Sequence, residues 1–374
     1  MSSTSAYAPD FIVTPGEILE ETLETKTIAK GDFAKRTGLS MKTISLILAG
    51  KAPILPETAL QFERVLGVSA EIWTNLESRY RLDLAKKTER AQDEELTQWV
   101  KNFPRLELAK RGAIPTEAKG AGAGRAILSF FGVGSTHTWN ELYGSIGCAP
   151  HSGASVRAAA VSFRKAASVK PKQPLLASWL RLAELAAQEC KTESFDKRIF
   201  ERAVREARSL TAEDPKVFFP RLLELCARSG VAFVLVPAIP GCGAYGATRW
   251  LTKGKALLAL SNLRKSDDQF WFSFFHEAGH LILHDKDTTF IEGLDCSIEI
   301  QEEEANVFAR ELLIDKSEWL SFIRTGIFYP EAIIRFASHI GIAPGIVLGA
   351  LQHDKLIKPD WHNSLKRKFE IVVS

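Results

Sequence analysis

The chain of 374 residues predicts an α+β protein that is predominantly helical. The expected parts are an all-α helix-turn-helix domain at the N-terminus, a helical middle region, and a C-terminal domain whose small sheet packs on a helix bearing His-Glu-Ala-Gly-His. Three observations predict this. Apolar residues recur at the helical period from Phe11 to about Lys87, and again over about 88–230. At Gly230 the texture changes to a short, apolar, β-branched run, Val231-Ala-Phe-Val-Leu-Val-Pro237, which reads as a buried strand. His276 and His280 then stand four residues apart in an aromatic-rich helical segment. The expected boundaries are 11–87 for the helix-turn-helix domain, 88–225 for a helical connector or sensor, 226–357 for the domain with the histidines, and 358–374 for a tail.

Asp32 to Thr37 reads as a short helix, Gly38 as the tight turn, and Ser40 as the N-cap of a second helix running to about Ala49. Ala34, Gly38 and Ile44 fall at positions five, nine and fifteen of a helix-turn-helix, which need a small residue, a turn residue and a β-branched core residue. Ser40, Lys42, Thr43 and Ser45, with Lys35 and Lys51 nearby, then offer polar groups to base edges and charge to phosphates of double-stranded DNA. An internal repeat aligns Phe33-Ala-Lys-Arg-Thr-Gly-Leu-Ser40 with Phe336-Ala-Ser-His-Ile-Gly-Ile-Ala343, and continues with Ile44 against Val347 and Leu48 against Leu351. Where the first copy has Lys42, Thr43 and Ser45, the second has Gly345, Ile346 and Leu348. An apolar face reads neither phosphates nor bases, so the second copy is expected to pack or to bind a partner.

The middle region carries amphipathic helices at Phe103-Pro-Arg-Leu-Glu-Leu-Ala109 and Ala177–Ala186. Lys119-Gly-Ala-Gly-Ala-Gly124 reads as a loop or hinge, and Pro150-His-Ser-Gly-Ala154 as a second break. Further on, Gly246–Leu251 and Ala256–Ser261 read as strands joined at Lys253-Gly254.

Ser266-Asp-Asp-Gln269 has the form of a capping box opening a helix from about Asp267 to His284. His276 and His280 share one face of it and reach one ion. Glu277 follows the first histidine, placed to take a proton from a metal-activated water rather than to ligate. A catalytic zinc needs a third protein ligand and an open position. A third histidine six residues after the second is ruled out by Lys286. On the following helix, Ala305, Phe308, Ala309, Leu312 and Leu313 set the buried face; Glu302 projects toward it, whereas Glu303 and Glu304 point away and are expected in solvent. Asn306, one turn beyond Glu302, is placed to orient a ligand histidine. His284, Tyr245 and Arg249 are candidates to touch substrate or its oxyanion, and the 246–251 strand is a candidate edge for β-addition of a peptide. Cys242 is expected to be a buried thiol.

Composition excludes several classes. Apolar residues make up 45% and charged residues 25%, ordinary for a globular chain, and the net charge of +3 leaves nucleic-acid binding to a local basic surface. Cys148, Cys190, Cys226, Cys242 and Cys296 are odd in number and contain no Cys-x-x-Cys pair, which argues against a disulfide framework or a cysteine-held zinc. Met1 to Asp10 lacks the apolar core of a signal peptide, and apolar runs fall short of the ~18 residues of a membrane span. A cytoplasmic, non-membrane protein is expected.

The run Phe275-His-Glu-Ala-Gly-His-Leu-Ile-Leu-His284, followed by Glu302-Glu-Glu-Ala-Asn-Val-Phe-Ala-Arg-Glu-Leu-Leu-Ile314, resembles the ImmA/IrrE zinc metallo-endopeptidases. The likeness covers about residues 220–357, including Gly246–Leu251 and Ile342-Ala-Pro-Gly-Ile-Val-Leu-Gly349. It implies a zincin-like, gluzincin-type domain with one zinc per chain on His276, His280 and Glu302, Glu277 as base, and cleavage of a cognate transcriptional repressor. Asp315 departs from the family, whose members often carry proline there. Pro15-Gly-Glu-Ile-Leu19, Ile54–Leu60 and Glu71–Leu76 are similar to HigA-type antitoxins of the xenobiotic-response-element group over about 11–85, which implies a homodimer on palindromic operator DNA. The expected function is thus a DNA-binding regulator with zinc endopeptidase activity toward a repressor or toxin–antitoxin partner, in a stress, mobile-element or addiction-module switch. The competing reading is a non-proteolytic HigA-like autorepressor whose zinc domain senses a ligand or holds structure. An intact Glu277 favours the first, since a structural site needs no base.

Overall fold

In the computed structural model, residues 13–90, 93–144, 162–165, 173–261, 266–284 and 296–368 are described, and the break expected at Pro150–Ala154 lies outside them. The chain divides into two compact units, Met1–Glu95 and Leu96–Ser374.

In the first unit the side chain of Thr14 accepts from the Glu17 amide and Glu17 reaches back to the Thr14 amide, a reciprocal cap that starts α1 (Pro15–Thr25). Then come α2 (Lys30–Thr37), α3 (Met41–Leu48), α4 (Pro56–Leu66) and α5 (Ala70–Arg90). One apolar stripe from each of the first four helices, with Trp73 of α5, closes a core around Leu19, Phe33, Ile44, Phe62 and Trp73, all fully buried. Gly16 lets α1 approach the end of α3; a Cβ there would run into the carbonyl oxygens of Ile47 and Leu48.

The second unit begins within α6 (Asp93–Trp99) and continues through α7 (Arg105–Lys110), α8 (Gly120–Phe131), α9 (Thr136–Tyr143), β1 (Ser162–Lys165), α10 (Gln173–Glu189), α11 (Lys197–Ser209) and α12 (Pro215–Arg228). There follow β2 (Val231–Leu235), β3 (Ala244–Thr252), β4 (Lys255–Leu260), α13 (Asp267–Leu283), α14 (Cys296–Leu313), α15 (Lys316–Arg324), α16 (Pro330–Ile340) and α17 (Pro344–His353). The strands form one sheet in the order β1-β3-β4-β2; β3 and β4 make an antiparallel hairpin, β2 runs parallel to β4, and β1 runs antiparallel to β3.

The sheet is apolar on both faces and is covered on both. Along β4, Leu258 and Leu260 enter a core with Phe218, Trp271, Phe274 and Val347, while Leu257 and Ala259 enter another with Ile127, Phe131, Trp179 and Leu180. Helices α8–α10 of the region read as a connector therefore cover the sheet face opposite α13, whereas α11 and α12 pack on the α13 side. The glycine-rich stretch expected as a loop is instead the first turn of α8. Gly124 is required there by packing, since a Cβ would collide with the Leu96 side chain.

The expected capping box at Ser266 does not form: Ser266 is the N-cap residue but its side chain caps nothing. The C-terminal segment takes its place. Ser266 bridges to Lys368, and the Asp267 amide donates to the Arg367 carbonyl at 3.0 Å. Buried Asp267 and Asp268 at the positive end of α13 pair with Arg367 and Lys366, at 3.4 and 2.8 Å. No single helix among the described residues is long and apolar enough to cross a membrane.

Candidate metal centre and nucleic-acid interface

Helix α13 runs through the middle of the second unit, with Phe270, Trp271, Phe274 and Phe275 in the core and His276, Glu277 and His280 almost wholly buried. Two glycines set what lies against it. Gly279, between the histidines, lets α14 come close: a Cβ there would stand 3.3 Å from Ala305 Cα and 3.0 Å from Phe308 Cδ1. That approach at Ala305 brings Glu302, three residues earlier on α14, over the two imidazoles. Gly246 does the same for the sheet. Its Cβ would lie 2.5 Å from Glu277 Oε1, so β3 passes directly against the Glu277 carboxylate.

The three expected ligands converge. His276 Nε2 and His280 Nε2 are 3.1 Å apart, Glu302 Oε2 is 3.3 Å from His276 Nε2, and Glu302 Oε1 is 3.4 Å from His280 Nε2. They are one group of possible metal donors among the described residues. Atoms bound tetrahedrally at about 2.1 Å from zinc are separated by about 3.4 Å, so this triangle has the size of one face of such a site. The Glu302 side chain is 28% exposed against 1% for His276, which puts the solvent opening on the Glu302 side. Burial acts to raise the Glu302 carboxyl, but hydrogen bonds and charge from His276 and His280 outweigh it and hold the group at about 2. Burial pushes His280 below the ordinary histidine range. Ligation requires Glu302 as the carboxylate, the form these neighbours favour.

Hydrogen bonds outside the triangle set the orientation of the imidazole rings. Asn306 Oδ1, 3.0 Å from His276 Nδ1, accepts from it and turns Nε2 toward His280 and Glu302. His284 Nε2 donates to Glu304 Oε2 at 3.1 Å, and His284 Nδ1 lies 3.2 Å from His280 Nδ1, so His280 Nε2 is the nitrogen turned toward the triangle. Glu304 is exposed, as expected, and its carboxylate also ends a chain that orients His280. The angle about the α14 axis places its Cβ correctly but does not include the reach of the side chain to His284.

His284 is committed to that chain rather than aimed at a substrate. Arg249 is not brought to the ligands. Successive residues of β3 face opposite ways, and its guanidinium pairs with Glu184 of α10, which Arg181 also holds. Tyr245 is half-buried beside Gly246, its carbonyl accepting from the Ser261 amide. Cys242 is fully buried and burial pushes its thiol up, which makes it unreactive. Asp315, the expected departure from the family pattern, caps α15 by accepting from the amides of Ser317 and Glu318.

In the first unit Gly38 closes α2 at φ 77°, and Ser40 Oγ accepts from the Thr43 amide to start α3. Ile44 is fully buried and Ala34 nearly so, while Lys35, Lys42, Ser45 and Lys51 are exposed. Thr43 is half-buried and its hydroxyl is 2.8 Å from that of Ser40, so these two residues are tied up in the cap. The second copy has the same kind of turn, with Gly341 at φ 72° between α16 and α17, but Gly345, Ile346 and Leu348 are buried. Gly345 and Gly349 lie against Asp267 and Asp268, so the helix that would read DNA is used to seat the start of α13.

Together these features define a helix-turn-helix regulator joined to a His-Glu-x-x-His metallopeptidase-type domain. Residues 244–347 match the peptidase M78 family, the IrrE N-terminal-like domain, and residues 19–73 match a helix-turn-helix family. The uncharacterized HTH-type transcriptional regulator YddM of Escherichia coli K12 is 35% identical over 74 residues, which are 20% of this chain and 79% of YddM. The chain belongs to the helix-turn-helix transcriptional regulators and carries a C-terminal domain of the IrrE/ImmA-like peptidase M78 family. It is also similar to the structure of an addiction module antidote protein of the HigA family from Coxiella burnetii, at 29% identity, covering 22% of this chain and 92% of that one, with a TM-score of 0.21.

Proposed function

We propose that this protein is a cytoplasmic, operator-binding regulator, acting as a homodimer, whose second unit is a zinc endopeptidase toward a repressor or toxin–antitoxin partner. The observation that carries the peptidase reading is the triangle of His276, His280 and Glu302 donor atoms 3.1 to 3.4 Å apart, with buried Glu277 next to His276 on α13 and its carboxylate against β3 at Gly246. A zinc ion held by these residues supplies a Lewis acid and an acidified water.

The chain's own residues do the rest. Asn306 and the Glu304–His284 chain hold the two imidazoles in their ligating orientations. Glu277, packed against β3 and shielded from bulk water, accepts the proton of the attacking water and passes it to the departing amide nitrogen. The β3 backbone beside Gly246 aligns the peptide. In the first unit, Lys42 and Ser45 of α3 face the major groove, with Lys35 and Lys51 toward phosphates.

The test separates zinc binding from chemistry. Glu277→Gln is expected to keep its zinc and lower hydrolysis of the cognate protein by at least about 100-fold, the scale of lost general-base catalysis. Full cleavage by a zinc-loaded Glu277→Gln protein would defeat the mechanism.

A further inference from the structure

The β3 edge that adjoins Glu277 is held by the protein itself. In the sheet order β1-β3-β4-β2, β4 takes one side of β3, and the other side is paired with Ser162–Lys165. The register sets Ser162 opposite Thr248, Phe163 opposite Ala247 and Arg164 opposite Gly246, with an irregularity between Arg164 and Lys165. Gly246 is the residue whose missing Cβ makes room for the Glu277 carboxylate. Four residues of the chain therefore lie extended and antiparallel to β3 at the register position next to the base. The strand also lies against α13.

A peptide that adds to β3 beside Glu277 needs the amide and carbonyl groups that pair with β1, because the other set on β3 is taken by β4. We infer that Ser162–Lys165 is a substrate-like strand that holds the peptide-binding edge of the second unit in cis, and that a protein substrate binds in its extended form by displacing it. The occupant is covalently tethered, so it competes at an effective concentration no dilute peptide matches. The edge is thereby also covered against pairing with other chains. This inference rests on the peptidase reading above, and its test runs without hydrolysis.

Ser162→Cys and Thr248→Cys are introduced together into the full chain carrying Glu277→Gln. Residues directly opposite in an antiparallel pair have Cα atoms about 4.5 to 5.5 Å apart, within disulfide reach. Mild oxidation should link the two new cysteines, identified by mass mapping of the joined fragments. The probe is a fluorescein-labelled peptide of this chain's own residues 160–167, zinc being present throughout. Locked protein is expected to bind it at least about tenfold more weakly than the same protein after reduction, and Phe163→Pro, which removes an amide from the strand, about tenfold more tightly.

Absence of the cross-link, or equal binding by locked, reduced and Phe163→Pro proteins, would overturn the inference. So would cutting of the wild-type chain within Ser162–Lys165 that Glu277→Gln abolishes, since the strand would then be a substrate and not a holder. Failure of the peptidase reading has a different signature: the Phe163→Pro chain with Glu277 intact would hydrolyse no member of a random octapeptide pool, while cross-linking and binding still followed the order given.

Discussion

The two helix-turn-helix copies share a left-handed turn glycine and have opposite surfaces. In the first, α3 is pinned by Ile44 and Ile47 and leaves Lys42 and Ser45 in solvent. In the second, α17 buries Ile346, Val347, Leu348 and Leu351, and presents Gly345 and Gly349 to the aspartates that open α13. The difference teaches that a helix-turn-helix is a packing unit before it is a reader of DNA. The turn glycine and the small residue one turn earlier fix the geometry, and the residues on the second helix decide whether its outer face meets nucleic acid or a protein core. Here the second copy has become part of the support for the metal helix.

The sharpest way to break the comparison is to place the same side chain at matched positions. Leu348→Lys buries a charge in the core around α13 and is expected to destabilise the second unit by roughly 4 kcal/mol, with loss of zinc. Ser45→Lys, its counterpart on α3, should stay within about 0.5 kcal/mol. Urea unfolding of both variants checks this, and similar losses would mean that the two faces are not opposite in kind.

A smaller effect is expected beside the triangle. Asn306→Ala removes the acceptor that orients His276 and should weaken zinc 10- to 100-fold with little change in fold, as read by competition with a chelator of known affinity. Glu304→Gln leaves an amide in place of the carboxylate at His284; its loss of affinity should be the milder one, because Glu304 is more exposed and acts through a second imidazole.

The smallest expected effect is on DNA. Lys42→Ala should weaken operator binding and flatten the slope of log affinity against log salt by about one, with no effect on zinc. An unchanged slope would take Lys42 out of the interface.

Much of the centre was legible in the sequence because helical geometry is strict. Four-residue spacing puts His276 and His280 on one face, and the apolar stripe of α14 points Glu302 inward. What escaped depends on reach and on tertiary partners. Glu304 leans back to His284 across the α13–α14 contact. Arg249 is turned away by the alternation of β3 and claimed by Glu184 from α10. The capping role of Ser266 was lost to Lys368 and Arg367, a hundred residues away. Ser162–Lys165 has neither length nor alternation to mark it as a strand, and only β3 makes it one. The middle helices were read as a connector because the two-faced burial of β2 and β4, which requires a second covering layer, is visible only once the strands are paired.

The central claim is that Glu302, and neither glutamate beside it, completes the metal site. Metal content of the purified full chain after dialysis against zinc tests it most directly, comparing wild type, Glu302→Ala and Glu303→Ala. The account predicts about one zinc per chain for wild type and Glu303→Ala and near none for Glu302→Ala, with all three folded. Full zinc in Glu302→Ala, or its loss in Glu303→Ala, would contradict it.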